Sequence, residues 1–220
     1  MKQRSNRSLP CIISLTLSGV SAIATAQTPI LDFTGGFQSQ IGAPGNTVGY
    51  SFNVSSNITI RGLGVFDWNS DGLLSKIPVG IWNTAGPTLL ANSTLDNTST
   101  VVASTSANGR WLENSIPALT LTPGNYVIGA YYVNAGDFFA DVAAIPTTIT
   151  GVNYGVPLYT TTNSFSYPNI FNPLDPTGGF FGPTAFLDAK GSNVPEPGSM
   201  ALLVALGLTG VALLRRRRTR

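Results

Sequence analysis

The sequence predicts an all-β fold: a single antiparallel β-sandwich or jelly-roll-like domain, with an N-terminal signal peptide and a C-terminal transmembrane helix. Apolar and polar residues alternate in many short stretches, and turn residues separate these stretches every ~8–12 residues. Few stretches have helical periodicity. We therefore assign residues 27–192 to one β-sandwich domain, which is long enough to bury a sizeable core.

The N-terminus is typical of a secretory signal peptide, which we place at residues 1–26. Three basic side chains precede a short apolar run, and Ala24-Thr25-Ala26 then matches the small-x-small pattern of a cleavage site. Serine and threonine side chains within the run disfavour the alternative, an uncleaved first membrane helix.

The clearest strand pattern within the domain covers Thr47 to Val54, where Val48, Tyr50, Phe52 and Val54 lie on one face. Asn57 to Phe66 continues the pattern, with a bend or bulge expected at Gly62 and Gly64. Further strands are predicted at residues 77–82, 88–91, 100–104, 110–116, 118–122, 125–133, 138–143, 147–153, 156–161 and 184–189.

Two segments stand apart from this regular pattern. Residues 125–133 are apolar on both faces and are predicted to form a central, buried strand. Residues 163–183 are rich in proline and glycine and long for a loop, but they carry five aromatic side chains. We expect this segment to lie across the sandwich.

Composition excludes several classes of function. Residues 28–194 contain nine acids and four bases, a net charge of −5, so the domain has no basic surface for nucleic acid. The domain also contains no His and no Cys, because Cys11 lies in the signal peptide. Disulfides, cysteine nucleophiles, histidine bases and the usual zinc ligand sets are therefore excluded.

The C-terminal tail predicts a membrane anchor. Residues 198–214 carry no charge and, as a helix, would span roughly 25 Å, which lies within the range for a transmembrane segment. Pro195 and Pro197 end the soluble part of the chain. The arginines that follow place the C-terminus in the cytoplasm and the β-rich domain on the extracytoplasmic side.

The same tail resembles a known sorting signal. It comprises Val194, Pro195, Glu196 and Pro197, the apolar run 198–214 and the cluster Arg215, Arg216, Arg217 and Arg218. Residues 194–220 as a whole resemble the PEP-CTERM sorting signal of exported bacterial proteins, which is also named after ice-binding proteins that carry it. The resemblance implies recognition of the Pro-Glu-Pro sequence by a membrane-embedded exosortase, cleavage nearby and loss of the helix.

A second resemblance covers most of residues 33–188. The segments that carry it are Leu63-Gly64-Val65-Phe66-Asp67, Asp71-Gly72-Leu73, Val79-Gly80-Ile81-Trp82, Leu89-Leu90-Ala91, Leu121-Thr122-Pro123-Gly124-Asn125-Tyr126-Val127 and Phe181-Gly182-Pro183. They resemble a recurrent β-sandwich ectodomain of PEP-CTERM proteins. This resemblance implies the sandwich fold and carries no enzymatic activity over to the chain.

One loop has part of a calcium-binding pattern. Asp67, Asn69 and Asp71 occupy the first oxygen-ligand positions of an EF-hand-type loop, and Gly72 follows them. Position 12, where a bidentate acid is needed, is Pro78. The alternative is a hairpin loop in which the Asp and Asn side chains accept hydrogen bonds from their own backbone.

Two further acids are candidate ligands for the same calcium site. Asp137 and Asp141 lie on a different predicted loop and would complete the calcium ligand set if that loop reached residues 67–72. Paired carboxylates are also the groups that glycoside hydrolases use. Structural or solvated acids are the more common case, so we expect no enzyme activity.

The aromatic side chains raise the question of sugar binding. Trp68, Trp82 and Trp111 are candidate sugar contacts because sugar rings stack on aromatic planes, and Tyr154 and Tyr159 extend the set. The alternative places them in the core, where large aromatic residues are usually buried. Ice binding would need a regular array of threonines, and residues 147–162 are too irregular for one.

Together, these features predict an exported cell-surface or extracellular-matrix protein with a non-catalytic structural or interaction role. The expected partners are the membrane and an exosortase-like protease, and calcium is the one cofactor that the loop pattern admits. The alternative is a carbohydrate-binding module associated with extracellular polysaccharide. A hydrolase is a more distant third.

Overall fold

The computed structural model describes residues 27–39, 45–134, 136–171 and 178–187, and these residues form an all-β structure. The strands are β1 (Thr28–Pro29), β2 (Leu31–Ser39), β3 (Asn46–Val54), β4 (Ile58–Trp68), β5 (Ile77–Asn83), β6 (Thr88–Leu95), β7 (Thr100–Val102), β8 (Gly109–Leu121), β9 (Gly124–Tyr132), β10 (Phe139–Thr148), β11 (Val152–Thr160), β12 (Ile170–Phe171) and β13 (Pro183–Leu187). The predicted signal peptide and the predicted C-terminal helix lie outside these residues. None of the described segments contains a helix long and apolar enough to cross a membrane.

The strands form three antiparallel sheets. A five-stranded sheet has the order β1-β13-β4-β8-β7, and a six-stranded sheet has the order β12-β11-β3-β9-β5-β6. Strands β2 and β10 pair with each other as a separate two-stranded ribbon. The predicted antiparallel, sandwich-like all-β fold is therefore confirmed.

The six-stranded sheet follows the alternation of its sequence. Val48, Tyr50, Phe52 and Val54 of β3 are all buried in the core. Strand β9 pairs with β3 on one side and with β5 on the other. The prediction of a central strand at residues 125–133 is thus correct, because β9 is apolar towards both faces and has neighbours along both edges.

Aromatic side chains make up the centre of the core. The ring of Phe33, from the ribbon, lies 4.7 Å from that of Phe66 and 5.9 Å from that of Trp111 between ring centroids. The ring of Phe181 stacks on Phe33 at 5.7 Å. Each buried side chain of this size stabilises the fold by ~1.5–3 kcal/mol, and each ring pair adds ~0.5–1.5 kcal/mol.

The structure corrects the predicted strands in several places. Residues 110–116 and 118–122 belong to one strand, β8, and Pro117 lies where its register with β4 shifts between Ile60 and Gly62. A bulge accommodates Pro117 because proline has no N–H to donate to a neighbouring strand. Likewise, residues 139–148 form one strand, β10, which contains an irregularity between Asp141 and Ala144.

A further correction is a strand that the sequence did not predict. Strand β2 contains Asp32 between apolar residues and then Gly35 and Gly36, both with positive φ values of 67° and 84°. These residues interrupt the alternation that identifies a strand from sequence. The pairing with β10 nevertheless continues past the glycines to Ser39.

A segment that we call the strap, residues 161–169, lies on the outer face of the six-stranded sheet. Gly49, Gly129 and Gly80 are directly opposite one another on β3, β9 and β5, and they form a row without side chains. A Cβ atom on Gly80 would be 2.8 Å from Cζ of Phe165, and one on Gly129 would be 3.0 Å from Cγ of Pro168. The strap therefore fills the space beside Gly80 and Gly129.

The strap is also held by hydrogen bonds to β3. The hydroxyl of Thr47 donates to the carbonyl oxygen of Ser164 at 3.3 Å and accepts from the N–H of Ser166 at 3.2 Å. The expectation that the aromatic-rich segment lies across the sandwich holds for Phe165 and Tyr167 on this outer face. Phe180 and Phe181 of the same segment are buried in the core.

We predict that Gly49→Ala lowers the free energy of unfolding by about 3 kcal/mol, because the added methyl group would overlap the carbonyl oxygen of Ile128 on β9. Urea unfolding followed by tryptophan fluorescence measures the change. Gly124→Ala is the matched control, since the nearest atoms to its Cβ would be 3.7 Å away. Equal stabilities of the two variants would contradict the close packing of β3 on β9.

Candidate functional site

The loop between β4 and β5 contains the predicted calcium ligands. Asp67, the penultimate residue of β4, is only 1% exposed, and its Oδ2 accepts a hydrogen bond from Nε of Arg110 at 2.8 Å. Its Oδ1 accepts from the N–H of Gly72 at 3.0 Å. Asn69 and Ser70 have positive φ values of 64° and 58°, which suits a tight turn. Asp67 is therefore a capping residue neutralised by an arginine.

Asp137 reaches the second half of the same loop. One of its oxygens accepts from the N–H of Leu74 at 2.8 Å, and the other accepts from the hydroxyl of Ser75 at 2.7 Å and from its N–H at 3.2 Å. The structure thus brings Asp137 to this loop, at residues 74–75. Asp141 lies on the ribbon, opposite Phe37, and caps the N–H of Val142.

These contacts describe what each acid does in the loop. Asp67 and Asp137 each bind the loop backbone, while Asn69 and Asp71 are exposed at its tip. Among the described residues, no group of three or more His, Cys, Asp or Glu side chains is arranged to hold a metal ion. The calcium site at Asp67, Asn69 and Asp71 stays a prediction, and the hydrogen bonds present are those of the hairpin alternative.

A more extensively bonded carboxylate, which the sequence did not reveal, is Asp32 on β2. Its Oδ1 accepts from the N–H of Phe33 at 2.9 Å, the hydroxyl of Ser104 at 2.7 Å and the indole N–H of Trp111 at 3.0 Å. Its Oδ2 accepts from the N–H and the hydroxyl of Thr105 at 2.7 and 2.9 Å. The only sequence signal was an acid within the apolar run Ile30-Leu31-Asp32-Phe33.

The three tryptophans lie in different environments. Trp111 is completely buried and bonded to Asp32, so its ring presents no face to a surface ligand. Trp82 is 4% exposed because two strap residues cover it: its ring centroid is 5.2 Å from that of Phe165 and 6.2 Å from that of Tyr167. Trp68 is half-buried against Phe66. The aromatic residues with exposed surface over Trp82 are those of the strap.

Glu113 on β8 is a buried acid, only 1% exposed. Its carboxylate lies against Gly62 of β4, where a Cβ atom would overlap Oε1, and the amide of Gln27 donates to both oxygens at 3.2 Å. Burial raises the pKa of Glu113 above its ordinary value, and hydrogen bonds from Gln27 and Ser115 reduce that rise only in part.

Charge is distributed unevenly over the described residues. The six strands of the six-stranded sheet, all of them described, and the strap contain no Asp, Glu, Lys or Arg. The charged side chains of the described residues lie on the other two sheets and in the loops: Asp32, Arg61, Asp67, Asp71, Lys76, Asp96, Arg110, Glu113, Asp137 and Asp141. The strands of the six-stranded sheet and the strap on its outer face are therefore uncharged.

Comparison with known proteins gives one finding, and it concerns the tail. Residues 193–218 match the family model of the PEP-CTERM protein-sorting motif. This match covers the predicted motif Val194, Pro195, Glu196 and Pro197 together with the predicted helix and Arg215 to Arg218, all of which lie outside the described residues. No curated protein and no solved structure matches the chain.

We predict that Asp32→Asn lowers the free energy of unfolding by about 3 kcal/mol. The amide replaces an acceptor oxygen with an NH₂ group that faces other donors, so buried N–H and O–H groups lose their partner. Chemical denaturation of the two proteins measures the loss. Asp71→Asn, the same change at an exposed position, is expected to alter stability by less than about 0.5 kcal/mol. A similarly small effect at Asp32 would contradict its role in the core.

Glu113→Gln is predicted to increase stability at neutral pH relative to the wild type. Because the folded-state pKa of Glu113 is raised, the unfolded chain releases this proton first, and the free energy of unfolding falls as pH rises through the ordinary value of 4.5 towards the folded-state pKa. The variant lacks this fall. Denaturation at pH 4 and pH 7.5 measures the difference.

Asp96→Asn is the control, because the pKa of Asp96 is shifted in the opposite direction to that of Glu113. Hydrogen bonds from the hydroxyl and the N–H of Thr98 hold the pKa of Asp96 below its ordinary value of 3.8. The contribution of Asp96 is therefore present above that pH and lost below it. A stability difference between wild type and Glu113→Gln that is constant from pH 4 to pH 7.5 would contradict the raised pKa.

Proposed function

We propose that this chain is a PEP-CTERM protein whose β-sandwich is a non-catalytic module of the cell surface or extracellular matrix. The sorting motif at residues 193–218 implies export, membrane association and processing by an exosortase. In this proposal the signal peptide, residues 1–26, directs export, and the helix at residues 198–214 holds the chain in the membrane. The arginine cluster keeps the C-terminus in the cytoplasm. Cleavage near Pro195-Glu196-Pro197 then frees the sandwich from its helix.

The non-catalytic role is supported by the hydrogen bonds that the buried acids accept from the protein itself. Asp32, Asp67 and Asp137 each accept hydrogen bonds that fix a loop or a strand, and Asp67 is also paired with Arg110. A general acid or base, in contrast, needs a titratable group that reaches the substrate with a lone pair or proton available. The arrangement of these carboxylates supports a structural use of the acids, which favours an interaction module over a hydrolase.

A second candidate is the binding of extracellular polysaccharide. The uncharged six-stranded sheet and its half-buried strap aromatics favour it, since uncharged sugars bind through ring stacking and hydrogen bonds to neutral side chains. Trp111 no longer contributes to this candidate because it is buried, and Trp82 contributes as a support beneath the strap.

We predict that replacing Pro195, Glu196 and Pro197 with alanine leaves the tail uncut, because the processing protease then lacks its recognition sequence. Intact mass spectrometry of the protein from cell envelopes and medium measures the mature C-terminus, and the variant should retain its C-terminal helix and remain in the membrane fraction. Glu113→Gln, a change within the β-sandwich domain, should be processed like the wild type. The same mature C-terminus in the alanine variant and the wild type would contradict exosortase sorting.

A further inference from the structure

We propose that the outer face of the six-stranded sheet, together with the strap, binds an uncharged polysaccharide. This inference rests on the proposed function in one respect: the sandwich must lie outside the cell, where such polymers are found. The binding surface that we assign consists of Phe165 and Tyr167 of the strap, supported by Trp82, with Leu89 and Asn92 of β6 at its side.

The geometry of the aromatic group supports this assignment. Phe165 and Tyr167 are each partly exposed, and both rings rest on Trp82, at 5.2 Å and 6.2 Å between centroids. Leu89 closes one side: a Cβ atom on Gly80 would lie 2.8 Å from its Cδ1 and 2.8 Å from Cζ of Phe165. The rings are thus held in place before any ligand arrives, which lowers the entropic cost of binding.

The polar groups around the rings suit a sugar ligand. Asn92 lies directly opposite Gly80 and is exposed on the same face. On the strap, the hydroxyls of Thr162 and Ser166 lie 2.6 Å apart, and the hydroxyl of Ser164 donates to that of Thr162 at 3.2 Å. These exposed amide and hydroxyl groups both donate and accept hydrogen bonds, which matches the hydroxyl groups of a sugar.

The lack of charged side chains in this sheet and in the strap selects the class of polysaccharide. No strand of this sheet and no residue of the strap, all of which are described, carries a charged side chain. The cation beside this face is Lys76, one residue before β5, and its charge is paired with Asp96 at 3.6 Å. An anionic polymer such as a uronate-containing glycan would therefore lose hydration of its charges with little compensation. An uncharged polymer loses no such hydration, so a neutral glycan is the ligand that the surface fits.

The test uses the full-length protein in detergent micelles and three neutral polysaccharides, namely cellulose, dextran and galactomannan, with alginate as the anionic counterpart. Binding is measured by co-sedimentation or affinity electrophoresis. We expect binding to at least one neutral polymer and not to alginate. Phe165→Ala and Tyr167→Ala should each raise the Kd about tenfold, whereas Tyr167→Phe, which keeps the ring, should bind like the wild type.

Two controls separate a lost contact from a loosened fold. Phe37→Ala removes an aromatic side chain that is 68% exposed on the ribbon, away from this sheet, and should leave binding unchanged. Asn92→Asp adds a charge to the face without touching the strap and should weaken binding severalfold, while Asn57→Asp makes the same change in the turn before β4 and should not. Thermal melts of all variants identify any that fail to fold.

The outcomes distinguish this inference from the proposed function. No binding to any neutral polymer, tighter binding to alginate, or wild-type affinity in Tyr167→Ala and Asn92→Asp would overturn the inference. Cell fractionation of the same strain tests the proposed function separately. Export and tail processing without neutral-glycan binding would overturn the inference alone, whereas a sandwich retained in the cytoplasm would overturn the proposed function whatever the purified protein binds.

Discussion

The buried carboxylate of Asp32 is the interaction on which the arrangement of the sheets depends. A charge this deep is tolerated only when hydrogen bonds replace its hydration, and Asp32 accepts five of them. The donors come from β2 itself, from the connection between β7 and β8, and from Trp111 on β8. One group therefore fastens the two-stranded ribbon to the five-stranded sheet. A leucine of similar volume would keep the packing but leave these donors without an acceptor.

The same use of acids recurs where the chain would otherwise be loose. The β-sandwich domain, residues 27–192, has no cysteine, so no disulfide closes its loops. Asp67 and Asp137 instead hold the two halves of the loop between β4 and β5, through Gly72 and through Leu74 and Ser75. Hydrogen bonds to charged groups contribute ~1.5–3 kcal/mol each, about twice as much as bonds between neutral groups. Carboxylates thus supply the local order that a small exported domain often takes from disulfides.

A structural feature can be predicted from the sequence when the residues that cause it are close together along the chain. Alternation along β3 and apolar residues on both faces of β9 are local, and both strands were predicted. The sequence does not predict the role of Asp32, because its hydrogen-bond partners Ser104 and Trp111 are 72 and 79 residues away along the chain. The tryptophans illustrate the same limit: residue type predicts size and stacking capacity, but only the packing of the strap and of the core decides that Trp82 is covered and Trp111 is buried.

The uncharged sheet poses a problem of solubility that the fold addresses at its edges. An edge strand without charge, such as β6, offers unpaired backbone groups to other chains, and lysine is the usual protection. Here the side-chain amide of Asn114, on β8 of the other sheet, donates to the carbonyl oxygen of Thr94 at 2.8 Å. The register of β5 and β6 also shifts between Ile81 and Trp82, which interrupts the flat edge. A hydrogen bond from a neutral side chain and a register shift therefore protect the β6 edge, and the strands beside it contain no charged residue.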